Sequence, residues 1–192
     1  MTRCAITNRK IVSSEEQGAR LALLDLARRC AQTGIDYLQL REKDLGAAEM
    51  VSLARRILTE LSGSRTRLLI NGRLDVALAA GAHGVHLTSR KGELTPAHVR
   101  SIFPEAIVSV SCHTLDDVRR SLDADFLLFS PVFEKSVAGE HVTEGTGLEL
   151  LREACLAAGR VPVLALGGIT AENTNTCLEA GAAGIAGIRL FL

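Results

Sequence analysis

Eight short aliphatic runs alternate with seven stretches of helical pattern along this chain, and no other feature restricts its fold so much. The runs are 3–7, 36–41, 67–71, 84–88, 107–111, 125–130, 162–166 and 184–188. Their apolar residues are near-continuous, as in parallel strands covered on both faces. Helical patterns fit 13–34, 46–61, 73–80, 95–102, 114–121, 147–158 and 171–180. The first of these begins with a capping-box pattern, Ser13 to Glu16, and stops at Gly34. "AGAHGVHL" (80–87) resembles "AGAAGIAG" (180–187): a helix end, a glycine turn and a strand. "QTGIDYLQL" (32–40) and "SLDADFLLF" (121–129) take the same role less closely. A unit repeated in this way favours a closed (βα)8 TIM barrel over the alternative, a doubly wound open sheet.

No linker or low-complexity stretch divides the 192 residues, which read as one domain, 1–192. The chain ends at "GIRLFL" after its last strand, so the eighth helix is expected to be missing. Either a second copy, as in a homodimer, covers the gap or the chain is trimmed. Hydrophobic residues make up 47% and aromatics 3%, so aliphatic side chains must fill the core. Lys+Arg and Asp+Glu are both 22, a balance that argues against a nucleic-acid groove or an anionic membrane as partner. Five scattered cysteines without a CxxC pair read as reduced thiols of a cytoplasmic protein. There is no signal-peptide pattern, and no apolar run nears the roughly 20 residues of a membrane helix.

Barrel enzymes carry their chemistry at the C-terminal ends of the strands. In "QLREKD", Gln39, Arg41 and Lys43 alternate onto one side. In "LLINGRLD" the Asn-Gly pair suits a strand-to-helix turn, because "RLDVALAAG" follows with helical spacing, and Asn71 projects into the rim. "VSVSCHTLDD" ends a strand with Ser111 and His113 at the mouth. Cys112 beside them points to the opposite face and is not expected to act as a nucleophile. Gly167 and Gly168 in "ALGGIT" precede a helix expected to start near Thr170, offering backbone N–H groups to an anion, with Arg189 of the last loop nearby. His83, His98 and His141 read as surface residues, and His86 as core packing or barrel lining, the first favoured.

"QLREKD", "INGRLDVAL", "GVHL", "SVSCHT", "FSPVF" and "ALGGIT", in this order and spacing, resemble the thiamine phosphate synthase/TenI superfamily over nearly the whole chain. The resemblance implies a (βα)8 barrel that binds a small phosphorylated thiazole. The phosphate would lie on Gly167 and Gly168, with the loop at Ile188 and Arg189 beside it. Gln39, Arg41 and Lys43 match synthase residues that handle the pyrophosphate and pyrimidine, and Asn71, counted with them as substrate-binding, matches the asparagine of the synthase Asn-Asp pair. Three departures follow. Gly72 stands where synthases hold a magnesium aspartate; "GVHLTSRKGELTP" lacks the second aspartate, with only Glu93 or Lys91 near its slot; and "PVFEKS" supplies Lys135 out of register with the synthase lysine. Pyrophosphate departure ordinarily relies on a carboxylate-held divalent ion, whereas tautomerisation needs little more than a base with a pKa near neutrality. The expectation is therefore a TenI-like thiazole tautomerase with His113 as acid–base group and no metal or other cofactor. The alternatives are a thiamine phosphate synthase, which would use magnesium, and a non-catalytic sensor of thiamine intermediates.

Overall fold

The computed structural model describes residues 1–13, 15–137 and 140–192, without the side chains of 135–137 and 140–143. Eight parallel strands form a closed barrel: β1 (Thr2–Ile6), β2 (Tyr37–Leu40), β3 (Arg67–Asn71), β4 (Gly84–Thr88), β5 (Ile107–Cys112), β6 (Phe126–Phe129), β9 (Val163–Ala165) and β10 (Gly184–Gly187). β10 pairs with β1 to close the ring. Between β6 and β9 the chain makes an antiparallel hairpin, β7 (Lys135–Val137) with β8 (Glu140–Thr143), in a stretch that reads as loop from sequence.

Strand period explains how few aromatics suffice. Cys4, Ile6, Leu69, Phe126, Leu128, Leu164 and Ala186 point into the barrel and pack as one cluster. Tyr37 and Phe126 stack across its interior with ring centroids 4.4 Å apart. The alternate residues, such as Leu38, Ile70, Val85, Val110 and Leu127, point outward into a larger cluster with the helices. These are α1 (Arg9–Val12), α2 (Glu16–Thr33), α3 (Ala47–Glu60), α4 (Leu74–Ala80), α5 (Pro96–Ile102), α6 (Leu115–Arg120), α7 (Gly147–Ala158) and α8 (Thr174–Glu179).

Several helix ends correct the sequence reading. The capping box at Ser13 does not form: Glu15 is the N-cap residue without a side-chain cap, and Ser13 Oγ instead accepts from Glu15 N–H at 3.1 Å. The stop at Gly34 does form, with φ +63° and its N–H on the Cys30 carbonyl. α8 begins at Thr174 rather than near Thr170, because Asn173 Oδ1 accepts from Thr170 N–H at 2.8 Å and holds the preceding residues in turns. After β10 there is a one-turn 3-10 helix, Arg189–Phe191, and among the described residues no α-helix follows that strand. The expected gap is nonetheless not open on β10, where outward-facing Ile185 is only 4% exposed. No helix among the described residues is long and apolar enough to cross a membrane.

The glycine-led repeat has a steric cause. A Cβ on Gly84 would lie 1.9 Å from the carbonyl oxygen of Ile107, and one on Gly184 1.8 Å from that of Thr2. Each glycine opens a strand pressed against the backbone of the next one, β5 and β1 respectively. The repeated motif marks two places where the barrel wall admits no side chain.

Candidate active site

The C-terminal ends of the barrel strands form a polar mouth over the apolar interior. Inward parity carries Gln39 and then Arg41 up the β2 side, and Glu42, the next residue, points the other way. Glu42 is 4% exposed and is fully engaged: it accepts from Thr7 Oγ1 at 2.6 Å and from Arg9 through both backbone N–H and guanidinium. Arg9 also forks onto Asp44 at 2.7 and 2.9 Å, which holds the Asp44 carboxyl well below the usual range. This buried network braces the loop that presents Arg41 and Lys43. Sequence reading missed it, since Thr7 and Arg9 carry no motif of their own.

Gln39 is 2% exposed and donates through Nε2 to Asn71 Oδ1 at 2.9 Å, so the structure brings these two residues together. Gln39 Oε1 is buried without a hydrogen-bond partner among the described residues. Arg41 is half-buried, and its charge acts on the ring of His86 within the barrel. Lys43 is exposed and lines a recess with Asn71, Gly72 and Arg73. Lys135 belongs to β7, and its side chain lies outside the described residues, as does that of His141.

On β5, Ser111 and His113 share the inward parity, while Cys112 is fully buried among the helices with its thiol pushed up to about 12, chiefly by burial. His113 is exposed, and its Nδ1 lies 2.7 Å from the Ser130 carbonyl oxygen. A carbonyl only accepts, so Nδ1 carries a proton, and in the neutral ring the lone pair is on Nε2 at the mouth. Two of the other histidines differ from expectation. His83 is half-buried and accepts from Leu68 N–H at 3.0 Å, and burial lowers its pKa. His98 is exposed, as expected, and completes a capping box with Thr95. His86 lines the barrel, 5% exposed, and hydrogen-bonds to Ser109 and Ser111.

After β9, two strands along the ring from β5, Gly167 and Gly168 have φ of 97° and 63°. A side chain at Gly167 would meet Pro131 Cα at 2.8 Å, and one at Gly168 the Glu134 carbonyl at 2.7 Å. Packing alone therefore demands both glycines, and the evidence for an anion cradle lies elsewhere. Their N–H groups have no hydrogen-bond partner among the described residues, while their carbonyls accept from Phe133 N–H and Asn173 Nδ2. Ile188 packs against the interior cluster, and Arg189 is exposed without an ion pair among the described residues. Two charge-assisted hydrogen bonds from the glycine N–H groups are worth roughly 1.5–3 kcal/mol each. Thiazole phosphate is thus expected to bind at least about 10²-fold more tightly than the dephosphorylated alcohol. Calorimetry with the two ligands checks this, and equal affinities would leave the double glycine as a packing feature only.

The fit of a synthase-type magnesium ion is poor. Gly72 has no side chain; Asp75 is paired with Arg73, Asp44 with Arg9 and Lys10, and Glu42 with Arg9. Among the described residues no group of three His, Cys, Asp or Glu side chains could hold a metal. The residues present do not fit a carboxylate-held divalent ion.

Fold and mouth together define a (βα)8 barrel with polar groups gathered at the C-terminal ends of its strands. The family described as thiamine monophosphate synthase matches residues 5–191, and the chain belongs to it. A protein of Aquifex aeolicus, named provisionally as a second thiamine-phosphate synthase, is 37% identical over 98% of this chain and 96% of its own. The thiamine-phosphate synthase of Syntrophomonas wolfei is 36% identical over 89% of this chain and 81% of its own. Among solved structures, a thiamine phosphate pyrophosphorylase from Pyrococcus furiosus superposes with a TM-score of 0.80, at 26% identity, covering 97% of this chain and 85% of that one.

Proposed function

We propose that the protein is an enzyme of thiamine biosynthesis that joins a pyrimidine pyrophosphate to thiazole phosphate. The names of its relatives favour this reaction over the tautomerase that the metal positions suggest in the sequence. The observation that carries it is a mouth with two anion-accepting sides. Arg41 and Lys43 follow β2, and the N–H groups of Gly167 and Gly168, without partners among the described residues, follow β9, with β1 and β10 between them. A reaction between two phosphorylated substrates needs two such sides, one of them cationic enough for a pyrophosphate, whereas the tautomerase substrate, a carboxythiazole phosphate, sets only a single carboxylate opposite its phosphate. In the condensation a thiazole nitrogen lone pair attacks the pyrimidine methylene carbon, and pyrophosphate leaves with the C–O electron pair. No proton is exchanged. Arg41 and Lys43 would carry the charge that develops on the leaving group.

A second reading, thiazole tautomerase, rests on Gly72 and on the free Nε2 of His113. It requires one base and no neutralisation of a leaving group. One experiment decides between them: incubation with both synthase substrates and magnesium, and separately with the thiazole tautomer. Thiamine phosphate is the expected product of the first incubation. Turnover of the tautomer alone would reverse the order of the readings, and excess EDTA should then leave it unchanged. Binding of thiazole phosphate with neither turnover would make the protein a sensor.

A further inference from the structure

The ring of His86 sits one layer below the mouth, clasped between two hydroxyls of the neighbouring strand. Nδ1 is 2.8 Å from Ser109 Oγ and Nε2 2.7 Å from Ser111 Oγ. The β4–β5 register pairs His86 with Ser109 and Thr88 with Ser111, so the ring spans two successive inward positions of β5. His86 is 5% and Ser109 1% exposed. Burial first, and then the charge of Arg41, hold the imidazole down to about 3, so the ring is neutral. A neutral imidazole donates from one nitrogen and accepts at the other. The two hydrogen bonds therefore have opposite polarity, and Ser109 decides which way they run.

His86 Nδ1 is the sole hydrogen-bond partner of Ser109 Oγ among the described residues. A buried O–H without an acceptor costs about 1–3 kcal/mol. Ser109 must accordingly donate to Nδ1, which leaves the proton on Nε2. Nε2–H then donates to Ser111 Oγ and occupies one of its lone pairs. Ser111 is half-buried at the mouth and has no other hydrogen-bond partner among the described residues, so its own O–H remains available.

We infer that His86 is a positioning residue: through the chain Ser109–His86–Ser111 it sets the Ser111 hydroxyl as a hydrogen-bond donor to an acceptor atom of the bound substrate, a ring nitrogen or a phosphoryl oxygen. The inference rests on the proposed function only in taking the mouth as the substrate site. Among the described residues His86 is the one hydrogen-bond partner of the Ser111 hydroxyl. A serine free to rotate would present a lone pair as readily as a proton. The relay removes that choice before the substrate arrives.

The test has two parts, both on the full chain. Nitrogen-15 NMR of the labelled protein near neutral pH, with His86 assigned by its loss in His86→Gln, should show Nε2 protonated and Nδ1 bare. Ser109→Ala should convert this single form into a mixture. An Nδ1–H ring in the wild-type protein would overturn the relay. In kinetics, Ser111→Ala and His86→Leu should each raise KM about tenfold, the scale of one hydrogen bond, with a smaller effect on kcat. The double variant should be no worse than either, and His86→Gln, whose amide can still donate to Ser111, should stay within about threefold of wild type. Multiplicative losses in the double variant would show independent roles and overturn the inference. Because the ring tautomer is read without turnover, an inactive protein with an Nε2–H ring would count against the proposed reaction and not against the relay.

Discussion

On the tautomerase reading, replacing His113 by glutamine is expected to slow proton transfer at a substrate carbon by about 10²- to 10⁴-fold, the usual range for general acid–base catalysis. The structure supplies the reason. Nδ1–H donates to the Ser130 carbonyl at 2.7 Å, which fixes the tautomer and leaves the Nε2 lone pair at the mouth. Glutamine can keep a hydrogen bond to that carbonyl through its amide but offers no basic nitrogen. His113 is exposed and anchors no core contact, so the variant should fold and bind thiazole phosphate as before. The condensation with pyrimidine pyrophosphate removes no carbon-bound proton, and there the same substitution should cost far less. Following loss of the substrate's carbon-bound hydrogen in deuterated buffer, alongside thiamine phosphate formation, measures both. Wild-type exchange in the variant would take His113 out of proton transfer.

Alanine at Gly184 or Gly84 is expected to cost the fold itself. Each new Cβ would overlap a neighbouring strand's backbone, at 1.8 Å from the Thr2 carbonyl or 1.9 Å from that of Ile107. Ordinary overpacking of side chains costs about 1–3 kcal/mol because rotamers can yield. Here the obstacle is backbone already committed to the barrel ladder, and the cost should exceed about 3 kcal/mol. Against a total stability of about 5–15 kcal/mol, that lowers the melting temperature by at least about 6–12 °C in a chain of this size. Gly184 is the more severe site, since its strand closes the ring on β1. Gly63→Ala is the comparison: its backbone is left-handed, with φ +75°, but nothing lies within 4 Å. Thermal unfolding followed by circular dichroism separates the two cases. A Gly184→Ala variant that melts within a few degrees of wild type would mean that the ring is slack at this seam.

Most of the barrel was legible because two periods in the residues carry it. Aliphatic runs with strand length and helical stretches with caps are local signals, and β3 and β4 match their expected bounds, 67–71 and 84–88. The same parity puts Gln39, Arg41, Ser111 and His113 on the inward side of their strands and turns Cys112 away. Local signals fail where a competing contact wins. Ser13 has the residue type for a cap but bonds within its own turn, and Asn173 holds Thr170 out of the helix that its sequence suggests. The hairpin of β7 and β8 pairs strands too short to show a period.

By itself the sequence determined the closed parallel barrel, the family and the polar groups at the strand ends, because these depend on the spacing of residue types along one chain. Only the tertiary structure decided what those groups can do. Glu42 looks like one charge in a run of charges, yet folding sinks it against Thr7 and Arg9, 33 or more residues away, and removes it as a metal ligand. His86 reads as core until the register of β4 on β5 sets a serine at each nitrogen. Protonation, tautomer and hydrogen-bond direction are properties of neighbours in space, and no spacing along the chain encodes which neighbours the closed ring will bring.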